Sequence, residues 1–265
     1  EDGTLVLLNT HTGKIHFLTE HTGDIWTVTF HPSGSWLASA GDDRHIIFWS
    51  LPDGNKLSEW QTDYPIKAIA ISPDGKYLAS GGENQDNHIT LWNIKTEQPL
   101  QTLIGHNQRI SDGGLAFNST GEWLASASHD KTVRLWDVKT GKTLDTLNGH
   151  TSKVEKAIFS PDNKLLATCS SDKTVRLWEI GSDDVTILHR LQGHQGPVYG
   201  LTFVADGQHL VSASEDKTLR LWDTKSGVIL RVLQGHVNIV NDIAAHLDQL
   251  YSASNDETIR RWNAT

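Results

Sequence analysis

The sequence predicts an all-β fold, a β-propeller in which a four-stranded sheet is repeated around a ring. Residues 129–137 recur in nearly identical form at residues 172–179 and 216–223, and four looser versions occur elsewhere. In each version an Asp stands six residues before a final Trp, or before the Leu that replaces it in the first copy. Successive end points lie about 40–44 residues apart, which is the period of a propeller blade. The end points of the seven copies are Leu8, Trp49, Trp92, Trp136, Trp178, Trp222 and Trp262.

One complete period contains four short runs with the composition and alternation of β-strands. We call them a, b, c and d, and in the period that contains Trp178 they are predicted at residues 154–159, 165–170, 174–179 and 185–191. A turn at residues 160–163 separates the first two, because Pro161 fixes φ and Asp162 can bond its own backbone. Residues 180–184 predict a lengthened connection between c and d.

The strands do not divide evenly among the blades. Six a, six b and six d strands are predicted, but seven c strands, because the chain begins with only c (residues 4–9) and d (residues 14–19). We therefore expect a ring of seven blades with incomplete terminal blades. A six-bladed ring is the alternative, if residues 14–19 pair with the last c strand. Nothing interrupts the repeats, so residues 1–265 are expected to form one domain, and open blade edges would allow homo-association.

Composition excludes some classes of function. The chain has a net charge of −9 and a pI of about 5.8, whereas nonspecific nucleic-acid binding needs a dense basic field. Acidic character instead favours a basic protein or peptide partner. No apolar run is long enough to span a membrane. Nucleic-acid and membrane partners are therefore not expected.

The single cysteine, Cys169, excludes a disulfide framework and a thiolate metal site. It lies in an apolar strand pattern, which is typical of a buried, unreactive thiol. No secretion signal precedes Glu1, so a reducing cytoplasm is the expected location. No metal or cofactor is expected. There is no Met, even at position 1, which favours a piece of a longer regulatory or signalling protein.

These motifs resemble the WD40 β-propeller family over essentially the whole chain. The resemblance rests on Gly-His before strand a, Ser or Thr in strand b, Asp in the b-to-c turn and Trp near the end of c. It implies that these side chains form a buried hydrogen-bonded tetrad in each blade. The implied tetrads are His21, Ser39, Asp43 and Trp49; His106, Ser126, Asp130 and Trp136; His150, Thr168, Asp172 and Trp178; His194, Ser212, Asp216 and Trp222; and His236, Ser252, Asp256 and Trp262.

Two blades depart from the pattern. The period that ends at Trp92 has Thr62 at the histidine position, and its Ser80 and Asp86 are six residues apart rather than four. A softer blade with a protruding loop at residues 81–85 is therefore expected. In the next period, two extra residues around residues 111–114 predict a bulge in strand a.

Ser, His and Asp at regular positions also occur in hydrolases, but we expect no enzyme. A catalytic triad occurs once and exposes its nucleophile, whereas this set recurs in five blades. Hydrolase, phosphate-binding and zinc-protease motifs are absent from the sequence. A propeller-type enzyme with its active site in the central channel stays the alternative.

Partner binding is expected on the face that carries the d-to-a and b-to-c loops, as the resemblance implies. Two positions per blade point there: five residues after the tetrad histidine, and directly before the tetrad Asp. The residues expected to bind a partner are Trp26, Asp42, Lys67, His129, Glu155, Tyr199, Glu215 and Asn241. Ser111, Ser171, Asn255 and Gln85 hold equivalent positions, and Asp24 and Lys153 are expected beside them.

The function expected from these residues is noncatalytic recognition of a protein or peptide. Acidic side chains at this face, with Trp26 and Tyr199, suit a basic side chain of the partner through charge and cation–π contacts. An ordinary solvated loop face is the alternative interpretation. The near-identical blades also resemble arrays in bacterial regulatory proteins, which are fused to kinase, NTPase or protease-like modules.

Overall fold

The structure is a computed structural model, and it describes residues 3–10, 12–83, 87–181, 184–204, 207–246 and 249–263. These residues form 25 strands, joined by antiparallel pairing into seven sheets. The N-terminal sheet has two strands, β1 (Leu5–Leu8) and β2 (Ile15–Leu18). Strands a to d of each later sheet follow one another in the chain and lie side by side in that order.

Blades 1 to 6 are named in chain order. Blade 1 contains β3 (Ile25–Phe30), β4 (Trp36–Gly41), β5 (His45–Ser50) and β6 (Lys56–Gln61). Blade 2 contains β7 (Ile66–Ile71), β8 (Tyr77–Gly82), β9 (Ile89–Asn93) and β10 (Gln98–Leu103). Blade 3 contains β11 (Ile110–Phe117), β12 (Trp123–Ser128), β13 (Val133–Asp137) and β14 (Thr143–Leu147).

Blade 4 contains β15 (Val154–Phe159), β16 (Leu165–Ser170), β17 (Val175–Ile180) and β18 (Val185–Leu191). Blade 5 contains β19 (Val198–Phe203), β20 (His209–Ser214), β21 (Thr218–Asp223) and β22 (Ile229–Gln234). Blade 6 has three strands, β23 (Val240–His246), β24 (Gln249–Ser254) and β25 (Ile259–Asn263).

The turns between a and b strands use the chemistry that their residues predict. In blade 2, the Ser72 hydroxyl donates to an Asp74 carboxylate oxygen at 2.7 Å, and Gly75 takes a φ of +70°. Blade 4 repeats this turn, with Ser160 donating to Asp162 at 2.7 Å and Asn163 at a φ of 60°. Both turns need a left-handed residue, which Gly and Asn supply at low steric penalty.

The core lies between blades rather than within one sheet. Trp136 of blade 3 packs with Leu124 of its own blade and with Ala68, Ile89 and Leu91 of blade 2. Equivalent clusters join blades 1 and 2, 3 and 4, 4 and 5, and 5 and 6. The b strands at these junctions contribute small residues with no exposed surface, so the facing blade can approach closely.

The number of blades corrects the prediction. Six sheets carry an a strand, so the molecule has six blades, as in the alternative, and the expectation of seven is wrong. The expected route of closure also differs, because residues 14–19 contain β2, which pairs with β1 and not with β25. The N-terminal sheet packs on Leu37, Ile47 and Trp49 of blade 1 through Leu5 and Leu18.

Two expected irregularities fall in the described residues. Strand β11 shifts its register on β12 between Ile110 and Leu115, which is the bulge that the extra residues predict. The lengthened connection of blade 4 follows Ile180, although residues 182 and 183 lie outside the described residues. The loop expected in blade 2 is described only at Gly81, Gly82 and Glu83, since residues 84–86 lie outside as well.

In the described ranges no helix is long and apolar enough to cross a membrane.

Candidate functional site

The tetrad side chains meet in five blades. In blade 3 the two ring nitrogens of His106 lie 2.8 Å from an Asp130 carboxylate oxygen and 2.7 Å from the Ser126 hydroxyl. The Trp136 indole N–H donates to the same hydroxyl at 2.8 Å. Blades 1, 4, 5 and 6 repeat the arrangement with all three distances between 2.7 and 3.0 Å. The chain from carboxylate to indole ties the d-to-a loop, strand b and strand c together.

These hydroxyls are in a poor position for nucleophilic catalysis. The Ser or Thr of every tetrad has no exposed surface, and its oxygen already accepts the indole N–H. A nucleophile must reach a substrate carbonyl beside an oxyanion site. The arrangement therefore supports a framework role for the Ser-His-Asp sets.

A threonine adds a further repeated contact that the sequence analysis missed. In blade 4 the Thr174 hydroxyl donates to an Asp172 carboxylate oxygen at 2.6 Å, and the Thr151 backbone N–H donates to the other oxygen at 3.0 Å. The same Thr contact occurs at Thr132, Thr218 and Thr258. Its signal was available, because a Thr stands two residues after the tetrad Asp in each of these copies.

These contacts govern the charge state of the tetrads in blades 4 and 5. Burial alone would raise the pKa of Asp172, but hydrogen bonds from His150 and Thr174 outweigh it and hold that pKa well below its usual range. The same balance, with His194 and Thr218 as donors, lowers the pKa of Asp216. Burial lowers the pKa of His150, against the opposing effect of Asp172. An ionised carboxylate beside a neutral imidazole is therefore the favoured pairing.

Blade 2 lacks the histidine link. The Trp92 indole still donates to the Ser80 hydroxyl at 2.8 Å. Thr62, at the histidine position, donates its hydroxyl at 2.9 Å to the backbone carbonyls of Arg44 and of Tyr64 instead. Asp86, the expected carboxylate, lies outside the described residues. The d-to-a loop of this blade is thus held by backbone carbonyls rather than by strand b.

A cavity of about 830 Å³ opens among the a strands. Four of the eight expected partner-binding residues line it, namely Trp26, Glu155, Tyr199 and Asn241. Lys153 and Asn255 line it as well. The other four expected residues do not line it, namely Asp42, Lys67, His129 and Glu215. Lys67 contacts both Trp26 and Asp42, and Glu215 contacts Tyr199.

The Trp26 ring already has a cation over it. The ammonium nitrogen of Lys67 lies 4.0 Å from the ring centroid and 2.7 Å from an Asp42 carboxylate oxygen. Burial raises the pKa of Asp42, but hydrogen bonds from Lys67 and Trp26 outweigh it and lower that pKa. Lys67 is only 6% exposed. The cation–π contact that we expected from a partner at Trp26 is therefore made within the chain.

A second group lies on the Tyr199 side of the mouth. The Tyr199 hydroxyl donates to a Glu215 carboxylate oxygen at 2.8 Å. Glu155 is buried, accepts from the Ser171 hydroxyl at 2.5 Å and lies 3.1 Å from the Lys153 ammonium. Burial, Glu215 and Glu155 together raise the pKa of Tyr199. The exposed Glu215 carboxylate therefore bonds the phenol directly, and the charge of Glu155 also acts on it.

His129 and Asn241 complete the expected set. His129 is half-buried, and its Nε2 atom has no hydrogen-bond partner among the described residues. Burial, with the charges of Arg109 and Lys153, lowers the pKa of His129 to about 4. Asn241 donates its amide to the Asn255 side-chain oxygen at 2.5 Å. In blades 4, 5 and 6, the two residues of each blade that were expected on the loop face are therefore hydrogen-bonded to each other.

A contact inside the channel was not expected. The Lys156 ammonium of blade 4 lies 2.6 Å from an Asp242 carboxylate oxygen of blade 6. Gly200 of blade 5 makes room for it, because a Cβ atom there would come within 2.9 Å of the Asp242 backbone. No sequence pattern predicts this pair, because it skips a blade. In the described ranges no three His, Cys, Asp or Glu side chains converge as metal ligands.

The chain is similar to several proteins of named function over part of its length. It is 36% identical over 97 residues to the target of rapamycin complex subunit wat1 of Schizosaccharomyces pombe, which covers 36% of this chain and 29% of that protein. It is 30% identical over 95 residues to human Striatin-3, covering 35% of this chain and 12% of that protein. It is also 30% identical over 112 residues to the U3 snoRNP-associated protein-like EMB2271 of Arabidopsis thaliana, covering 35% and 22%. The chain thus spans less than a third of each of these relatives.

A solved structure and a family match extend over nearly the whole chain. The structure described as U3-55K superposes with a TM-score of 0.81 and 27% identity, covering 98% of this chain and 80% of that one. Six stretches match the family described as "WD domain, G-beta repeat": residues 12–50, 54–93, 97–137, 141–179, 185–223 and 227–263. The chain belongs to the WD40 repeat family.

Proposed function

We propose that this propeller is a noncatalytic recognition module whose loop face binds a basic segment of a protein partner. The observation that carries the proposal is the hydrogen-bonded pair of Tyr199 and the exposed Glu215 at the mouth of the channel. The exposed Glu215 carboxylate beside the Tyr199 ring provides both the charge and the flat surface that a guanidinium or ammonium group prefers, whereas Glu155 already pairs with Lys153. The net charge of −9 favours the approach of such a partner.

The Tyr199 side suits the partner's cation better than Trp26 does. Lys67 occupies the face of Trp26 and pairs with Asp42, so a second cation there would have to displace it. Glu215 is exposed, and no Lys or Arg among the described residues forms an ion pair with it. The partner's basic side chain is therefore placed beside Tyr199 and Glu215, with the channel below it.

The relatives agree with a role in protein assemblies. Their names describe a complex subunit and an snoRNP-associated protein, and by analogy we propose that residues 1–265 act as one domain of a larger assembly. Because the chain is acidic, the contact in such an assembly is proposed to be with protein rather than with nucleic acid. A cytoplasmic location and the likeness to bacterial arrays stay predictions.

The proposal is tested with peptides that differ in one side chain. An array of peptides with Arg, Lys or Gln at a fixed central position is probed with the labelled protein and with its Glu215→Gln variant. We expect Arg and Lys peptides to be preferred over Gln peptides, and Glu215→Gln to weaken that preference about tenfold, since it removes a partly desolvated charge pair. The matched control is Glu179→Gln, an exposed Glu at the other end of a c strand. Equal binding of Arg, Lys and Gln peptides would contradict the proposal.

A further inference from the structure

The turn between strands a and b of blade 1 carries an aromatic stack. The His31 ring lies 4.3 Å from the Trp36 ring at an interplanar angle of 26°, and Phe48 meets Trp36 edge to face at 5.4 Å. His31 also occupies the space beside the next blade, because a Cβ atom on Gly75 of blade 2 would collide with its Nε2 atom. An imidazole therefore lies between the first b-strand residue of blade 1 and the turn of blade 2.

The corresponding place between blades 2 and 3 has no such ring. Ser72 stands where blade 1 has His31, so the stacked imidazole is missing. Leu91 stands where blade 1 has Phe48, so a smaller side chain lies behind it. Tyr77 takes the tryptophan position, and no ring stacks on it in the described part of the chain.

A groove of about 790 Å³ opens at this junction, and we call it the blade 2–3 groove. Tyr77 and Trp123, the first residues of the two b strands, both line it and are partly exposed. Gly121, the counterpart of Gly75, lines it as well, and the nearest neighbour of a Cβ atom there would be the Pro73 Cδ atom at 3.4 Å. Two aromatic rings therefore border a space that blade 1 fills with its own imidazole.

The charge at the groove is negative. Glu122 and Asp137 line it, against the single cation of Lys139. Among the described residues neither carboxylate forms an ion pair with a lysine or an arginine. Glu122 is exposed, and hydrogen bonds from Thr140 lower the pKa of Asp137, which is therefore ionised at neutral pH. Such a groove favours a cation over an anion.

We propose that the blade 2–3 groove is a binding site for the guanidinium group of an arginine side chain on an extended polypeptide segment. A guanidinium is planar, as the His31 imidazole is, and it stacks on aromatic rings while it pairs with carboxylates. The groove lies at the a-to-b turns, at the other end of the strands from the loop face. It does not depend on the function proposed for that face.

The size of the groove favours a segment over free arginine. Its volume of about 790 Å³ lies within the roughly 300–1,000 Å³ of sites that hold drug-sized ligands, which are larger than one side chain. Leu100 lines the groove and is 52% exposed. It offers apolar contact to the stem of the arginine or to the residue beside it.

The test follows the indole N–H signal of Trp123 by two-dimensional ¹⁵N NMR while a peptide is added to the whole protein. The signal is identified by its loss in Trp123→Phe. One peptide carries a central arginine among glycines and serines, and a second carries citrulline, which keeps the planar shape without the charge. We expect the arginine peptide to shift the signal saturably. The citrulline peptide, and the arginine peptide with Glu122→Gln, should each bind about threefold more weakly, since one charge of an exposed pair is lost.

A second variant fills the groove from within the chain. Ser72→His together with Asp74→Ser gives the turn of blade 2 the His-Pro-Ser-Gly sequence of blade 1, in which His31 Nδ1 lies 2.7 Å from the Ser33 hydroxyl. Its imidazole should stack on Tyr77 and weaken binding of the arginine peptide at least about tenfold, because the site is then occupied.

The matched control makes the same two changes in blade 4, as Ser160→His together with Asp162→Ser. That turn also begins Ser-Pro-Asp and is far from the groove. Affinity for the arginine peptide should stay within about twofold, as expected for distant sites. Circular dichroism establishes that both double variants are folded.

Four results would overturn the proposal: no saturable shift of the Trp123 signal, equal binding of the arginine and citrulline peptides, equal binding by the filled variant, or free arginine binding as tightly as the peptide. Binding that Glu215→Gln weakens and the filled variant does not would place the arginine on the loop face instead, and would support the function proposed there. Binding that the filled variant abolishes and Glu215→Gln preserves supports the groove as the site.

Discussion

At the scale of single residues, the protonation states of the tetrads in blades 4 and 5 make the stability of the fold depend on pH. In blade 5 the Asp216 carboxylate accepts hydrogen bonds from His194, Thr218 and the Gln195 backbone. These bonds lower the pKa of Asp216, whereas burial lowers the pKa of His194. Blade 4 repeats both shifts at Asp172 and His150. Folding therefore favours the deprotonated form of both partners.

The protein should lose stability on mild acidification. His150 and His194 have pKa values in the fold below the unfolded value of about 6.5, so their contribution is complete above pH ~6.5 and declines as pH falls toward the folded pKa. The stability that Asp172 and Asp216 contribute is likewise lost as pH falls below their unfolded pKa of about 3.9. We expect the urea midpoint to be level from pH 8 to 7 and to fall between pH 6.5 and 5.

The comparison for this prediction is His194→Gln, which removes one of the three imidazoles whose pKa the fold lowers, the others being His150 and His129. It should be less stable than the unaltered protein at pH 7.5, because a buried carboxylate loses a donor. Its midpoint should then fall less steeply between pH 6.5 and 5. A midpoint of the unaltered protein that rises on acidification would contradict the assigned direction of the shifts.

Residue contacts could be predicted from the sequence where they repeat and not where they cross blades. The Ser126, Asp130 and Trp136 partners of His106 stand four and six residues apart, and Ser or Thr, Asp and Trp keep that spacing in four other blades. The Lys67 contact with Trp26 joins two blades whose sequences differ at these positions, so no repeat marks it. The Lys156–Asp242 pair depends on the small size of Gly200 between them, which only the folded channel reveals.

At the scale of the element, blade 2 differs from its neighbours in how its c strand is held. Trp92 keeps its bond to Ser80, but Thr62 turns to backbone carbonyls. Trp92 is half-buried, whereas Trp136 in blade 3 is 1% exposed. Part of the missing support comes from Trp60, whose ring lies 5.7 Å from Trp92 at the junction with blade 1.

The same substitution should therefore have different effects in adjacent blades. Trp136→Ala removes a fully buried indole and leaves the Ser126 hydroxyl without its indole donor, so we expect a loss of ~3–5 kcal/mol in the free energy of unfolding. Trp92→Ala removes a half-buried indole from an incomplete network and should lose about 2 kcal/mol. Both losses are measured by urea unfolding monitored with circular dichroism of the backbone, so that the signal does not depend on the substituted tryptophan. Equal losses would show that the missing histidine does not soften blade 2.

Strand positions were predictable because alternation and turn residues are local signals. The predicted residues 154–159, 165–170 and 185–191 coincide with β15, β16 and β18, and the bulge in β11 follows from two extra residues. Pairing of β1 with β2 is also local. Which sheet the pair would join was not predictable, since that depends on contacts between residues far apart in the chain.

At the scale of the whole molecule, each blade is stabilised by its neighbours. Core clusters join consecutive blades from 1 to 6, and the N-terminal sheet contacts blade 1. Such arrays behave as nearly one-dimensional chains, in which end units have one neighbour fewer. The number of blades depends on how the ends meet, which explains why counting repeats predicted seven blades and the structure has six.

The ends should therefore open before the middle. We expect amide hydrogens of β1, β2 and β23–β25 to exchange faster than those of β12, β13, β16 and β17, because local opening there breaks fewer contacts between blades. Asp242→Asn tests the Lys156–Asp242 contact, which ties blade 6 to blade 4 across the channel. It should increase exchange in β23–β25 several-fold and leave β12 and β13 unchanged. The loss of overall stability should stay below about 1 kcal/mol, because Asp242 is exposed.

The matched substitution is Asp162→Asn, which changes an exposed Asp in a turn of blade 4 beside Lys164. It removes the same charge without crossing the channel, so exchange in β23–β25 should not respond. Hydrogen exchange followed by mass spectrometry resolves the strands concerned. If both variants raised exchange in blade 6 equally, the effect would come from net charge, and the cross-channel pair would have no part in holding the last blade. If neither did, packing on blade 5 through Val211, Ala213 and Ile243 would be sufficient to hold it.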